Sequence, residues 1–424
     1  MRPHRIRAAL ICGLAVTAGV AAVAGQTGHG RSTVAFQPPA SGAAGHVTHT
    51  PPPTLAQPPS VVPDWIRAIV GPPELRPAGP AAVYTYTQVG MFSAAVKGDP
   101  QLVYVPNSGE SGMHGLNNSS NPDRDSVTVI DPRTFRVVGH FKVGGLPQHV
   151  TPSWDLKTLW ADASGGNQLV PINPRTAKPG KPVPVDAPYN LYFTPDGSTA
   201  LVMAERRNRI DVRDPHTMQL RRSIDAPCNG INHADFSADG SYFLATCEFS
   251  GHILKYDTKT LDLIDNIDLG PESMPQDIRL GPDGHTFYIA ALNQGGLIVL
   301  DGDSLDTEGL IPTGKGAHGI YPSRDGKLLY VSNRDEGSVS VVDPVARKAT
   351  AKWRIPHGGS PDMGGVSADG TQLWLSGRDN DEVYCFSTKD GHLLARIPVG
   401  ANPHGLAFFP QPGRYSLGHT GSFR

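Results

Sequence analysis

The sequence predicts an all-β fold, a seven-bladed β-propeller of four-stranded blades, and three observations carry that prediction. First, an Asp-Gly turn recurs at Asp196-Gly197, Asp239-Gly240, Asp283-Gly284, Asp325-Gly326 and Asp369-Gly370, with Asp155-Leu156 as a degenerate copy. Successive aspartates lie 41, 43, 44, 42 and 44 residues apart. A period of that size, with about four strands per repeat, signals a propeller rather than a helical solenoid. Second, apolar residues alternate with period two, as at Leu191 and Phe193 or Ile278 and Leu280, where helical repeats would show spacings of three and four. Third, the last recognisable innermost strand, residues 405–409, has no complete blade after it. The first clear set of second to fourth strands covers 102–106, 126–131 and 137–143. Pairing the C-terminal strand with that N-terminal blade closes the ring and leaves no long open edge. The alternative takes residues 91–96 as the first innermost strand, with 83–87 and the C-terminal tail building a partial eighth blade.

In chain order, residues 1–24 read as a signal peptide. Arg2, Arg5 and Arg7 precede an apolar run over 8–24, and Ala22-Val23-Ala24 suits cleavage before Gly25. That run is short for a membrane span, so the expectation is a cleaved signal and an exported chain (secreted, periplasmic or at the cell surface) with no span in its mature form. An uncleaved anchor is the alternative. Residues 25–82 form a Pro-rich spacer, with 12 prolines between residues 26 and 80. Such a composition cannot bury enough apolar surface to offset its ordering entropy, so it is expected to be disordered or extended. The propeller follows over 83–410 and a tail over 411–424. Within it, residues 107–125 form a long insertion between the second and third strands of the first blade. Long loops on a rigid scaffold are often functional, the alternative being a plain surface tip.

The unit over 315–343 shows how each repeat is built. A short strand reaches Pro322, and Ser323-Arg324-Asp325-Gly326 turns because Asp and Gly tolerate the reversal. Strands over 328–332 and 338–342 follow, rich in β-branched and aromatic residues. The fourth repeat reads likewise over 234–236, 242–246, 252–256 and 261–267. One such sheet cannot bury both faces alone, so neighbours must stack about an axis. Cys228 and Cys247 fall nearly opposite across one hairpin, which suits a disulfide in an oxidising compartment, and Cys385 reads as a buried apolar residue. The net charge of −2 over 424 residues supplies no basic field for nucleic acid or anionic lipid.

Propeller geometry directs the search for chemistry. Innermost strands line the central channel, and the residues that begin them crowd one mouth. Aligning the turns gives a first position occupied by Gln148, Tyr189, Asn232, Gln276, His318, Asp362 and His404. The second carries His149, Asn190, His233, Asp277, Gly319, Met363 and Gly405. His149, His233, His318 and His404 therefore form a candidate metal set, since neutral imidazole suits copper, zinc or iron. The structural alternative is that they bond neighbouring loop carbonyls and close the ring. A second constellation is His233, Asp235, Asp277 and Arg279. It reads either as a binding site for a charged small molecule, with Arg279 clamping an anion, or as an Asp235–Arg279 ion pair between blades. The loops between second and third strands add Glu205, Arg206, Glu248, Asn293, Asn333, Arg334, Arg378 and Asp379. Most of these read as a solvated rim, with Glu205 and Glu248 as the candidates for acid–base catalysis. The turn aspartates, at the opposite strand ends, read as structural.

The segment LYVSNRDEGSVSVVDPVARK at 329–348, with GAHGIYPSRDG before it, resembles the YVTN-type β-propeller repeat. So do YVPN at 104–107, SVTVIDPRTFRVVGHFKVG at 126–144 and IPVGANPHGLAFFP at 397–410. That resemblance implies an exported propeller. It also places the fold near the haem-binding propeller of dissimilatory nitrite reductases, copper-containing nitrous oxide reductase with its metal-binding hub histidines, and seven-bladed lactonases. The chain has no CxxCH for a c-type haem and no separate copper domain. Three functions remain open: a non-catalytic, monomeric module binding a small molecule or an extracytoplasmic protein at the histidine-bearing mouth; a metal- or haem-binding redox enzyme or accessory protein using His149, His233, His318 and His404; and a lactonase-like hydrolase using Glu205 or Glu248.

Overall fold

A computed structural model describes residues 88–109 and 121–419. The expected signal peptide, the spacer and most of the long insertion lie outside these residues. The described chain forms seven sheets around a channel, each with at least four antiparallel strands. Blade four shows the plan, with Ile231–Phe236 innermost, then Tyr242–Cys247, His252–Asp257 and Leu263–Asp268 outermost. Blade two departs from it because its outer edge is Pro-rich. There the outermost strand is cut into Lys178–Pro179 and Val183–Pro184, as expected when a residue has no N–H to give to the ladder.

Ring closure follows the sequence expectation. Ala407–Phe409 pairs antiparallel with Leu102–Asn107, setting Leu102 opposite Phe409 and Tyr104 opposite Ala407. The closing strand is shorter than the expected 405–409 because Gly405 bonds sideways to blade two, donating its N–H to the Gln148 carbonyl at 2.7 Å. Residues 91–96 do not supply an innermost strand. Ala94–Val96 is a turn of 3-10 helix, and Phe92 makes only an isolated bridge to Gly413. The ring therefore has seven blades.

No single core holds the described molecule together. Seven apolar clusters are present, one at each blade–blade contact. Leu244, Ile253, Ile278 and Phe287 fill the contact between blades four and five, and Tyr321, Val339, Leu373 and Phe386 that between six and seven. The turn aspartates are structural. Asp239 accepts from the Ser237 hydroxyl at 2.8 Å and the Ser241 N–H at 2.9 Å, and Asp155, in the degenerate copy, accepts from Ser153 and Lys157 in the same way. The two well-kept YVxN segments also have a physical reason. Asn107 ends its strand and donates to the hydroxyls of Ser126 and Thr128, each at 2.9 Å, while Asn333 donates to Ser338 and Ser340, each at 3.0 Å. One amide thus ties the second strand to alternate residues of the third. A disulfide joins Cys228 to Cys247, and Cys385 is free and buried, its thiol pushed up by burial.

Candidate metal centre in the channel

Each innermost strand brings one or two polar side chains to the hub, and the four histidines named from the sequence do converge there. His149, His233, His318 and His404 are all buried, at 2 % exposure or less. A fifth, His419, joins them from the C-terminal tail with no exposure at all. Ring centroids are 3.8 Å apart for His149 and His419, 4.8 Å for His149 and His404, and 5.6 Å for His233 with either His149 or His419. Tyr189 stands beside them, 5.4 Å from His149. Gly405 makes the crowding possible, because a Cβ there would fall 1.9 Å from His149 Nδ1.

The five rings divide into two groups of different chemistry. His149, His233 and His419 offer nitrogens that all lie within 4.8 Å of one another. Both nitrogens of His149, both of His419 and Nε2 of His233 are buried with no hydrogen-bond partner among the described residues. Leaving a buried polar atom unpaired costs about 1–3 kcal/mol, so five in one place demand an explanation. The His233 tautomer is fixed. Its Nδ1 lies 3.0 Å from Asn232 Oδ1, and the Asn232 amide nitrogen donates to Glu205 at 3.2 Å and Glu248 at 2.7 Å. Two carboxylates thus set the amide, the amide oxygen accepts the Nδ1 proton, and the Nε2 lone pair faces the other two rings. Metal-binding histidines are oriented in this way by a partner on the second nitrogen.

His318, Asp362 and His404 form the other group. Here Asp362 is already engaged, 3.1 Å from His318 Nδ1 and 3.4 Å from each of Arg334 and Arg378. His404 donates from Nδ1 to the Gln148 carbonyl at 3.0 Å, so this ring fastens blade one to blade two. A carboxylate held between two guanidiniums is a weak donor to an ion, and this group reads as a buried charge network.

Burial holds all five imidazoles well below their usual range, with neighbouring histidines and arginines adding to the effect. They are neutral near pH 7, the state that binds metal. Burial also raises Glu248, against hydrogen bonds from Gln276 and Asn232.

Three members of the second sequence constellation, Asp235, Asp277 and Arg279, bond to neighbouring blades of the ring. Arg279 pairs with Asp277 at 3.2 Å and donates to the Ile320 carbonyl at 3.1 Å. Asp235 accepts from the Leu280 N–H and Asp277 from the Ile320 N–H, both at 2.9 Å. Each carboxylate therefore staples its own inner strand to the next blade, as Tyr192 does to Ala234 and Tyr321 to Gly364. The expected solvated rim also needs correction. Arg206 and Asn293 are exposed, but Glu205, Glu248, Arg334 and Arg378 are buried, because they bond inward to Asn232 and Asp362. His419 was not among the sequence candidates, since it lies beyond the last repeat and no blade alignment reaches it. The nearest signal was a histidine in a short tail that follows the ring-closing strand.

The sequence matches the family described as YNCE-like beta-propeller over residues 106–412. No curated protein matches it significantly. Among solved structures it is similar to a putative 6-phosphogluconolactonase from Bacteroides fragilis, at 17% identity, 74% coverage of this chain, 99% of that one and a TM-score of 0.59. It is also similar to hydrazine synthase from Kuenenia stuttgartiensis, at 20% identity, 62% and 90% coverage and a TM-score of 0.54. A third likeness is to a dihydro-haem d1 dehydrogenase in complex with DHE, at 14% identity, 80% and 83% coverage and a TM-score of 0.55. At these identities the likeness is one of fold.

Proposed function

Starting from a chain that belongs to the YNCE-like β-propeller family, we propose that it is an exported metal-binding propeller, holding one transition-metal ion on His149, His233 and His419. The observation that carries this reading is the convergence of partnerless, neutral imidazole nitrogens within 4.8 Å, fully buried in the channel. Binding an ion would draw them to metal–nitrogen distances of about 2.0–2.1 Å. Nitrogen donors of this kind suit copper or zinc. Rings this close leave no gap for a porphyrin, so the donor set fits a bare ion rather than a haem. Three protein ligands leave a fourth position for an incoming molecule, the arrangement of reactive rather than purely structural sites. Export is supported by the N-terminal apolar run and by the Cys228–Cys247 disulfide. Among the described residues no helix is long and apolar enough to cross a membrane.

Within this reading the chain's own residues have separate tasks. Asn232, braced by Glu205 and Glu248, holds His233 in the tautomer that presents Nε2. Gly405 leaves room for His149. Burial keeps the rings unprotonated. The ion would add Lewis acidity or electron transfer at the open position. The test is elemental analysis and calorimetric titration of untagged protein offered Cu(II) and Zn(II). About one ion per chain is expected, with affinity lowered at least about a hundredfold in His149→Ala or His233→Ala. Less than about a tenth of an ion per chain would remove the proposal in favour of a metal-free binding module.

A further inference from the structure

The third member of the histidine group arrives differently from the other two. His149 and His233 stand on blade strands, Pro147–Pro152 and Ile231–Phe236. His419 stands on a segment that leaves the ring-closing strand, crosses the turn face and enters the channel beside blades two to four. Its path is fixed at a few points. Gln411 donates to the Val366 carbonyl at 2.7 Å, and the Gly413 N–H donates to the Met91 carbonyl at 2.9 Å. Tyr415 stacks on Trp154 with centroids 5.4 Å apart. The Ser416 N–H donates to the Trp154 carbonyl at 3.1 Å, and the Leu417 carbonyl accepts from the Phe193 N–H at 2.9 Å. Leu417 enters the apolar cluster of Tyr192, Ile210 and Phe236, and Gly418 passes so close to Leu191 and Tyr192 that a Cβ there would collide with both. Among the described residues, no continuous ladder of strand hydrogen bonds holds residues 411–419. His419 itself is buried, and neither of its nitrogens has a hydrogen-bond partner among the described residues.

Seating the tail therefore has opposing terms. The Tyr415 stack and the Leu417 burial favour it. Taking the His419 imidazole out of water with nothing bonded to either nitrogen opposes it. An ion bound to His149 and His233 turns that opposing term into a favourable one. We infer that metal occupancy and docking of the C-terminal tail are linked, so that the ion latches residues 414–419 into the channel and the tail in turn completes the ion's ligand set. The inference rests on the metal-binding reading above and adds regulation to it, because any ligand that binds only the docked state stabilises docking by an amount that grows with the logarithm of its concentration relative to its dissociation constant. The linkage is reciprocal, so freeing the tail loosens the ion.

Trypsin provides the test, since Arg414 lies at the tail's entry and is partly accessible. Full-length protein is digested with and without Cu(II) or Zn(II), and loss of the peptide beginning at Tyr415 is followed by mass spectrometry, with bound metal measured on the same samples. The expected result is cleavage slowed at least about tenfold by metal in the wild type and unchanged by metal in His149→Ala. His419→Ala should seat the tail without help and so become metal-independent. A chain ending at Gly413, which keeps the ring-closing strand, should bind the ion at least about a hundredfold more weakly. If metal binds stoichiometrically yet cleavage is the same with and without it, the latch is wrong and the metal site stands. If no metal binds, both fall.

Discussion

At the scale of single residues, the hub is a set of bases denied water and, for His149 and His419, denied hydrogen-bond partners among the described residues. Desolvation keeps the five imidazoles unprotonated in the folded chain, whereas the unfolded chain takes up protons as pH falls through about 6.5. The unfolded state then binds more protons, so stability is lost as pH falls below that value. Each ring contributes up to about 1.4 kcal/mol of lost stability per pH unit. Urea titrations of the metal-free protein should show a steep decline between pH 6.5 and 5, shallower in a His149→Gln/His419→Gln double variant. Equal stability across that range would show that these rings protonate freely in the folded state. Four of the five histidines were legible in the sequence because each heads a repeat, so that aligning turns also aligns their heights in the channel. The fifth was not, since a tail outside the period carries no register. Nor could the sequence separate His149 and His233 from His318 and His404. That distinction depends on Asp362 and on one backbone carbonyl of Gln148, and spacing does not encode such contacts.

At the scale of elements, the unit is a strand ending that serves its neighbour. Asp235, Asp277, Tyr192 and Tyr321 each accept one N–H from the next inner strand, so adjacent blades are joined at the hub by side chain to backbone rather than by sheet ladders. This is why Asp235, Asp277 and Arg279 admit two readings in the sequence, as part of a binding site or as a charge pair between blades. Charged residues two apart on an inner strand look alike whether they face a ligand or the adjacent blade. Asp277→Ala would leave Arg279 buried without the carboxylate 3.2 Å away and should cost about 3 kcal/mol, read from the urea midpoint. Asp277→Asn, which keeps an acceptor for the Ile320 N–H, should cost less. If both variants lose under about 0.5 kcal/mol, the staple contributes nothing beyond packing. The YVxN motif belongs to this scale too. Its amide bonds explain why Asn107 and Asn333 are paired with Ser or Thr at alternate positions of the following strand.

At the scale of the whole molecule, the period of the turns and the incomplete blades at either end made the wheel legible, because both reflect one requirement: each sheet needs two neighbours, and the first and last must meet. Loss of that meeting should be severe. A chain ending before Ala407 exposes the edge of Leu102–Asn107 and should aggregate or unfold broadly, while one ending at Gly413 should remain a monomer by size-exclusion chromatography with a single cooperative urea transition. If the shorter chain behaves as well as the longer, closure is not what holds the ring. The same closure has a bearing on biosynthesis. The first blade made by the ribosome waits for the last strand, and a ligand of the proposed ion follows later still. A nascent or prematurely terminated chain thus has no complete site, and loading of the cofactor would report that translation had run past residue 419.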